Sequence, residues 1–351
     1  MDFFQHPKKI VITGGAGFIG SNLAANLAKE GHLITVFDNL TRKGTRENAN
    51  WLADQFDNVE IVEADLRHDQ AVLDRIVKDA EAIYHLAGQV AVTTSVEKPR
   101  EDFDINALGT FNLLEAIRLH ATADPVLIYS STNKVYGGME EVKIIEGANR
   151  YSYADFPAGI PENQFLDFHS PYGCSKGAAD QYVRDYARIY KQKNVVFRQS
   201  CIYGPRQFGI EDQGWVAWFT IATLADKAIT IYGDGKQVRD VLYVDDLVRA
   251  FKLATDNIST TAGKIYNIGG GAENTMSLLE LVDYLREFHG KAIEPSFGEW
   301  RPGDQPVYIS NIAKAQQEFG FSPEIGAKAG VAKLTEWVKD NRSLFTKVGL
   351  I

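Results

Sequence analysis

The chain has 351 residues, 45% hydrophobic and 24% charged, ordinary values for a globular protein long enough to form more than one lobe. A formal net charge of −9 and a pI of about 5.4 disfavour nucleic acid as a partner, and no apolar run reaches the ~18 residues of a membrane span. The two cysteines, Cys174 and Cys201, form no CxxC pair, so neither a disulfide framework nor a metal site is expected; without a basic, apolar leader at the start, a soluble cytoplasmic protein is the expectation.

The first third alternates short apolar runs with helical patterns. Segments 10–13, 34–37, 59–62, 82–86 and 126–129 read as strands, with helices between them, notably over 21–30 and 102–119. This alternation implies crossover connections and a parallel sheet covered on both faces. The first turn carries Gly14, Gly17, Phe18, Ile19 and Gly20 between a strand and a helix, a slight variant of G-x-G-x-x-G. Glycines there permit a tight turn and close approach of backbone to a pyrophosphate, whose charge the helix N-terminus attracts. Asp38 closes the second strand, where a carboxylate accepts ribose hydroxyls and repels a 2′-phosphate. That favours NAD over NADP, although Arg42 and Lys43 follow closely. Asp65-Leu66 and Leu86-Ala87-Gly88-Gln89 close the next two strands and read as cofactor contacts, because ligands of open α/β sheets bind at strand carboxyl ends. Asp65 suits a turn cap equally well.

The fifth strand ends in Ser130-Ser131-Thr132-Asn133-Lys134, which places Thr132 to hydrogen-bond a substrate hydroxyl. The polar stretch 138–169 is too long for a plain connection and is expected to pack over the site or form a surface excursion. Ser170-Pro171-Tyr172-Gly173-Cys174-Ser175-Lys176 then opens a helix running to about Tyr190. Tyr172 and Lys176 stand at i and i+4, on one helix face. A fixed ammonium, and a cationic ring if one binds, lower a phenol's pKa from ~10, so Tyr172 can take a proton from a substrate hydroxyl and return it. Alone, this spacing occurs by chance on many helices; the upstream glycine turn gives it weight. A sixth strand covers 195–197. Beyond residue 229 the elements shorten, with helices over 245–255 and 278–289. Arg239 and Arg301, in separate exposed loops, can clamp a diphosphate bidentately. The expected fold is α/β, a Rossmann-type doubly wound parallel sheet over residues 1–200 with an insertion at 138–170. Residues 201–351 form a smaller C-terminal α/β substrate-binding lobe, with some segments returning to the first.

Several of these pieces, with others, stand in a characteristic order: Gly14-x-x-Gly17-x-x-Gly20, Asp38, Asp65-Leu66, Leu86-Ala87-Gly88, Asn106 before Gly109-Thr110, Thr132, Tyr172-x-x-x-Lys176, Tyr203-Gly204-Pro205-Arg206, Arg239-Asp240 and Arg301-Pro302-Gly303-Asp304. The set resembles the extended short-chain dehydrogenase/reductase family, in particular its nucleotide-sugar epimerases and dehydratases, from Lys9 to about Trp337. The resemblance implies that Tyr172 is the general base and acid, that Lys176 binds the nicotinamide ribose and lowers the tyrosine pKa, and that Thr132 orients the reacting hydroxyl. It implies NAD as cofactor, held by the glycine turn with Asp38, Asn39, Asp65, Leu66, Leu86, Ala87, Gln89, Asn106 and Ser130 beside Tyr172 and Lys176. Gln89, Thr132, Asn133, Tyr172, Cys201, Arg206, Gln213, Arg239, Arg301 and Tyr308 are the implied substrate contacts, with no metal. It also implies a homodimer packed through the helices near 102–119 and 171–190.

Within the family, segments 130–137, 168–181 and 212–215 are similar to 2-epimerases acting on a CDP-sugar; that sugar nucleotide follows from the likeness alone. The implied reaction is oxidation at C2, rotation of the ketosugar and return of the hydride to the other face. One alternative is a UDP-sugar 4-epimerase, which would use the same machinery with another sugar pose. A second is a non-catalytic NAD-binding scaffold or sensor, a reading weakened by the complete Thr132, Tyr172 and Lys176 set. A 4,6-dehydratase would need a carboxylate pair where this chain has Asn133 and Lys134.

Overall fold

Period-two alternation sorts strand residues onto two faces of one sheet, and both faces are buried. Ile10, Ile12, Tyr84, Ile128 and Phe197 pack on one side against the helices Phe18–Lys29 and Val244–Asp256. Val11, Ile83, Leu127, Tyr129 and Val196 pack on the other against the helices Gly109–His120 and Ser170–Tyr190. This computed structural model describes residues 3–301 and 303–351; Met1, Asp2 and Pro302 of the Arg301-to-Asp304 motif lie outside the described residues.

The strands in chain order are β1 (Lys9–Thr13), β2 (Leu33–Asp38), β3 (Val59–Glu63), β4 (Ala82–His85), β5 (Val126–Thr132), β6 (Ile144–Glu146), β7 (Tyr151–Tyr153) and β8 (Lys193–Gln199). They continue as β9 (Cys201–Tyr203), β10 (Thr230–Tyr232), β11 (Val238–Tyr243), β12 (Ile265–Ile268), β13 (Thr275–Ser277), β14 (Ser296–Gly298) and β15 (Val307–Tyr308). The main sheet is parallel, in the order β12-β8-β5-β4-β1-β2-β3. Its edge strand β12 comes from far along the chain. Apart from the β6–β7 hairpin, the remaining strands build a smaller lobe, in which β11 pairs with β9, β13 and β15. The helices Trp215–Leu224, Leu278–His289 and Ala327–Asp340 bury their apolar faces there.

Two segments differ from the sequence reading. The single helix expected over 102–119 is three pieces: Pro99–Phe103, a wider π-helical turn at Asp104–Leu108, and Gly109–His120. π turns inside α-helices often mark functional positions, and this one carries Asn106. The stretch 138–169 neither wanders off the surface nor forms a plain lid. Its β6–β7 hairpin and the loop after it tie the two lobes together. The Tyr151 N–H donates to the Lys236 carbonyl (2.9 Å), the Tyr153 hydroxyl to the Val307 carbonyl (2.9 Å), and the Asn267 amide to the Ile160 carbonyl (2.8 Å). Among the described residues, no helix is long and apolar enough to cross a membrane.

Candidate active site

The strand order reverses between β1 and β4, so the connections leave these neighbours in opposite directions and open a crevice at their carboxyl ends. Gly14 takes a φ of 68°, and a Cβ there would stand 2.6 Å from the Ala87 backbone nitrogen. A Cβ on Gly20 would collide with the Gly14 carbonyl, so that glycine lets the first helix seat against the turn. Phe18 and Ile19 form that helix's first turn. The Asp38 carboxylate accepts from the N–H groups of Ala16 (3.1 Å) and Leu40 (2.9 Å). Burial raises its pKa, against the pull of those N–H groups. Of the two cations that follow, Lys43 is engaged elsewhere, donating to the Gly349 carbonyl (3.2 Å), whereas the charge of Arg42 acts on Asp38 and Tyr172. A glycine cradle closed by a carboxylate fits NAD, whose ribose hydroxyls that carboxylate would accept.

Asp65 turns out to be a turn cap. Its carboxylate accepts the Arg67 N–H (2.9 Å), the Arg67 guanidinium (2.9 and 2.7 Å) and the Asn39 amide (2.9 Å). The Arg67 hydrogen bonds hold it well below the usual carboxylate range. Asp65 therefore fixes Asn39 and the strand end next to the buried Leu66.

Thr132, Tyr172 and Lys176 converge at the carboxyl end of β5. Pro171 sits in the first turn of the helix Ser170–Tyr190, where its missing N–H costs nothing. One turn separates Tyr172 from Lys176. Lys176 Nζ donates to the Ser130 carbonyl (2.5 Å) and lies 4.3 Å from the centre of the Tyr129 ring. Burial pushes the Tyr172 phenol up to about 12; its hydrogen bond with Thr132 and the charge of Arg42 pull it down. Burial likewise lowers Lys176 to about 7, against the fields of Asp102 and Asp180. In the protein alone, desolvation thus outweighs the lysine effect expected from the i,i+4 spacing.

Around this trio lies a polar network. Asn106, on the π turn, donates to the carbonyl of Gln89 (3.1 Å), to Asp102 (3.2 Å) and to Ser175 (3.1 Å), and accepts the Gln89 N–H (2.9 Å). Ser175 donates to Asp102 (2.5 Å), and the Gln89 side chain donates to the same carboxylate (3.0 Å). The loop after β4, with Leu86 and Ala87 at its start, is thereby clamped to the tyrosine-bearing helix. One turn past Lys176, Asp180 accepts a two-pronged pair from the buried Arg198 (2.9 and 3.0 Å) and the Ser131 hydroxyl (2.8 Å). Ser130 donates to Gln199 (2.9 Å).

A sequence profile described as "NAD dependent epimerase/dehydratase family" matches residues 10–269. The chain is 47% identical over 335 residues to the CDP-paratose 2-epimerase of Salmonella typhi, covering 94% of this chain and 98% of that protein. The chain belongs to this family of NAD-dependent enzymes. It is also 34% identical to a putative UDP-glucose 4-epimerase of Methanocaldococcus jannaschii, over 95% of this chain and 99% of that one. Among solved structures, the UDP-glucose 4-epimerase of Thermotoga maritima with UDP-glucose superimposes with a TM-score of 0.81 at 32% identity, over 95% and 99% of the two chains.

On the substrate side of this epimerase/dehydratase fold, Thr132 donates to Asn133 Oδ1 (3.3 Å), and Lys134 reaches across to the Gly303 carbonyl (3.1 Å). Arg239 pairs with Asp304 (2.5 Å), with Lys134 3.8 Å from the same carboxylate. Arg301 pairs with Asp212 (2.9 Å) and stacks 3.9 Å over Tyr232. Cys201 accepts from the Trp215 indole N–H (3.4 Å), and Gln213 closes a turn by backbone pairing with Ile210. Arg206 turns away to stack 3.6 Å over Trp51, on the nucleotide-side helix Thr45–Gln55. Tyr308 is fully buried beside Arg239, its register partner on the neighbouring strand, and stacks on Tyr136 (6.1 Å).

Sequence reasoning missed Asp102, Ser175, Asp180 and Arg198. Two signals were present. Asp180 repeats the Tyr172–Lys176 spacing, and an arginine directly after the apolar run 195–197, on a central strand, requires a buried acidic partner.

Proposed function

We propose that this protein inverts C2 of a CDP-linked dideoxyhexose, interconverting CDP-paratose and CDP-tyvelose. The observation that carries the proposal is the convergence of Thr132, Tyr172 and Lys176 beside the glycine turn, with Asn133 and Lys134 where dehydration would need carboxylates. The 47% identity to the Salmonella typhi enzyme supports the choice of sugar and base.

When bound, NAD supplies the reversible hydride acceptor. The protein supplies the rest. Thr132 accepts and donates hydrogen bonds between the sugar hydroxyl and the Tyr172 oxygen, the geometry that proton transfer requires. Tyr172 takes that proton and later returns it. A cationic ring bound in this site and the Lys176 ammonium, one turn along the same helix, would offset the burial that holds its pKa high. Gln89 and Asn106 keep the loop after β4 against the tyrosine helix. Arg239 and Arg301 grip the diphosphate, so that binding energy remote from C2 retains the ketosugar while it turns. In this division of labour the main sheet is the nucleotide-binding lobe, and residues from 201 onward form most of the substrate lobe. Incubation with a panel of CDP-, GDP- and UDP-sugars, followed by NMR, tests the reading. Inversion at C2 of CDP-paratose is expected, whereas inversion at C4 of a UDP-sugar would replace it with the 4-epimerase reading.

The working form is a cytoplasmic homodimer. Its support is the row of exposed apolar side chains on the two helices beside the site, with Leu119 59% and Ile189 62% exposed alongside Phe111, Tyr182 and Tyr190.

A further inference from the structure

A recess of about 430 Å³ opens at the β12 edge of the main sheet, two strands away from the Thr132 strand. The insertion supplies one wall, with Glu162 and Gln164. The helix Ser170–Tyr190 supplies Arg184, β8 supplies Arg198, and Lys264 and Lys314 complete the lining. Four cations therefore face one space. Arg198 is matched by Asp180 and Lys264 by Glu318 (2.7 Å). Glu162 is the carboxylate in the wall, and one of its oxygens accepts the Asn267 N–H (2.8 Å).

Lys314 and Arg184 remain. Lys314 donates to the Ile265 carbonyl (2.7 Å) and lies 4.7 Å from the Tyr266 ring centre; the charges of Glu162 and Glu318 act on it, but it makes no ion pair among the described residues. Arg184 makes no ion pair among the described residues, and its Nε is shut away from solvent with no acceptor. Arg188 and Arg198 add like charge around it, and the carboxylate that acts on it, Asp180, is already held by Arg198. A buried guanidinium N–H without an acceptor is costly, and such groups are nearly always satisfied. The planar fork of arginine matches phosphate oxygens, and a neighbouring ammonium adds a point charge.

We propose that this edge recess is a second anion site, taking a small phosphate-bearing molecule through Arg184 and Lys314. The site is independent of the C2 reading and separate from Arg239 and Arg301. Inorganic pyrophosphate is the probe, with NAD saturating the glycine turn throughout, followed by thermal unfolding. The expected result is a rise in Tm in wild type that persists in Arg239→Gln and is lost in Arg239→Gln combined with Arg184→Gln and Lys314→Gln. An absent shift, a shift abolished by Arg239→Gln alone, or one unchanged in the combined variant would each overturn the proposal. Arg184→Lys in the Arg239→Gln background keeps the charge and loses the fork. It should weaken pyrophosphate at least tenfold in a ³¹P NMR titration, and unaltered affinity counts against the site. Inorganic phosphate as a parallel probe separates a monophosphate ligand, for which it protects equally, from a diphosphate ligand, for which it protects less.

Discussion

Around Tyr172 the polar groups are buried and fixed by partners on the sheet or on neighbouring helices; around Arg301 they are half-exposed and joined across loops. Asp180, Arg198 and Ser131 form one buried set, and Asp102, Ser175 and Asn106 form another. Arg301 instead meets Asp212 and Tyr232, both on other segments of the smaller lobe. The difference assigns rate and stability to the first region and affinity to the second, because buried, fully partnered charges cannot relax when one member is removed whereas exposed ones can.

The hardest test of that contrast is Tyr172→Phe, which should lower kcat by roughly 10²–10⁴-fold while leaving NAD bound, read by turnover and by the cofactor content of the purified variant. Next, Asp180→Ala leaves the Arg198 guanidinium buried without its carboxylate and should cost about 3–5 kcal/mol in urea unfolding. Lys176 gives a pH signature. Its folded pKa of about 7 lies below its ordinary value of 10.5, so between the two the unfolded chain holds more protons. Relative to Lys176→Met, NAD-free wild type should therefore gain stability as pH rises from 7 to 10, by up to about 3 kcal/mol; a flat difference would mean that the ammonium is not desolvated. The smallest effect belongs to the second region. Arg301→Ala should raise KM by roughly tenfold to a hundredfold, equivalent to about 1.5–3 kcal/mol, with kcat changed far less. A kcat loss as large as that of Tyr172→Phe would erase the distinction between the regions.

The same contrast explains what could be read from the sequence. The main sheet was legible because its strands are short apolar runs set between helical patterns and its glycine turn is local; β1 to β5 and β8 lie within a few residues of their expected bounds. Tyr172 and Lys176 were legible because i,i+4 spacing is local as well. The pairing of Asp180 with Arg198 was not, since it joins a helix to a strand and depends on register. The π turn that aims Asn106 has no sequence signature separating an i→i+5 turn from an i→i+4 one. In the smaller lobe, β9, β13 and β15 are two or three residues long and meet β11 from distant parts of the chain, so neither period nor proximity announces them. Tyr308 shows the consequence: its buried place beside Arg239 comes from strand pairing, which no local pattern announces.

The central claim is that the proton handled by Tyr172 belongs to an oxygen and that the hydrogen on carbon never leaves the site. It is tested most directly with CDP-paratose carrying deuterium at C2, turned over in ordinary water and analysed by NMR. The account predicts CDP-tyvelose with deuterium retained at C2. Loss of the label to solvent at the rate of inversion would show abstraction from carbon and contradict it.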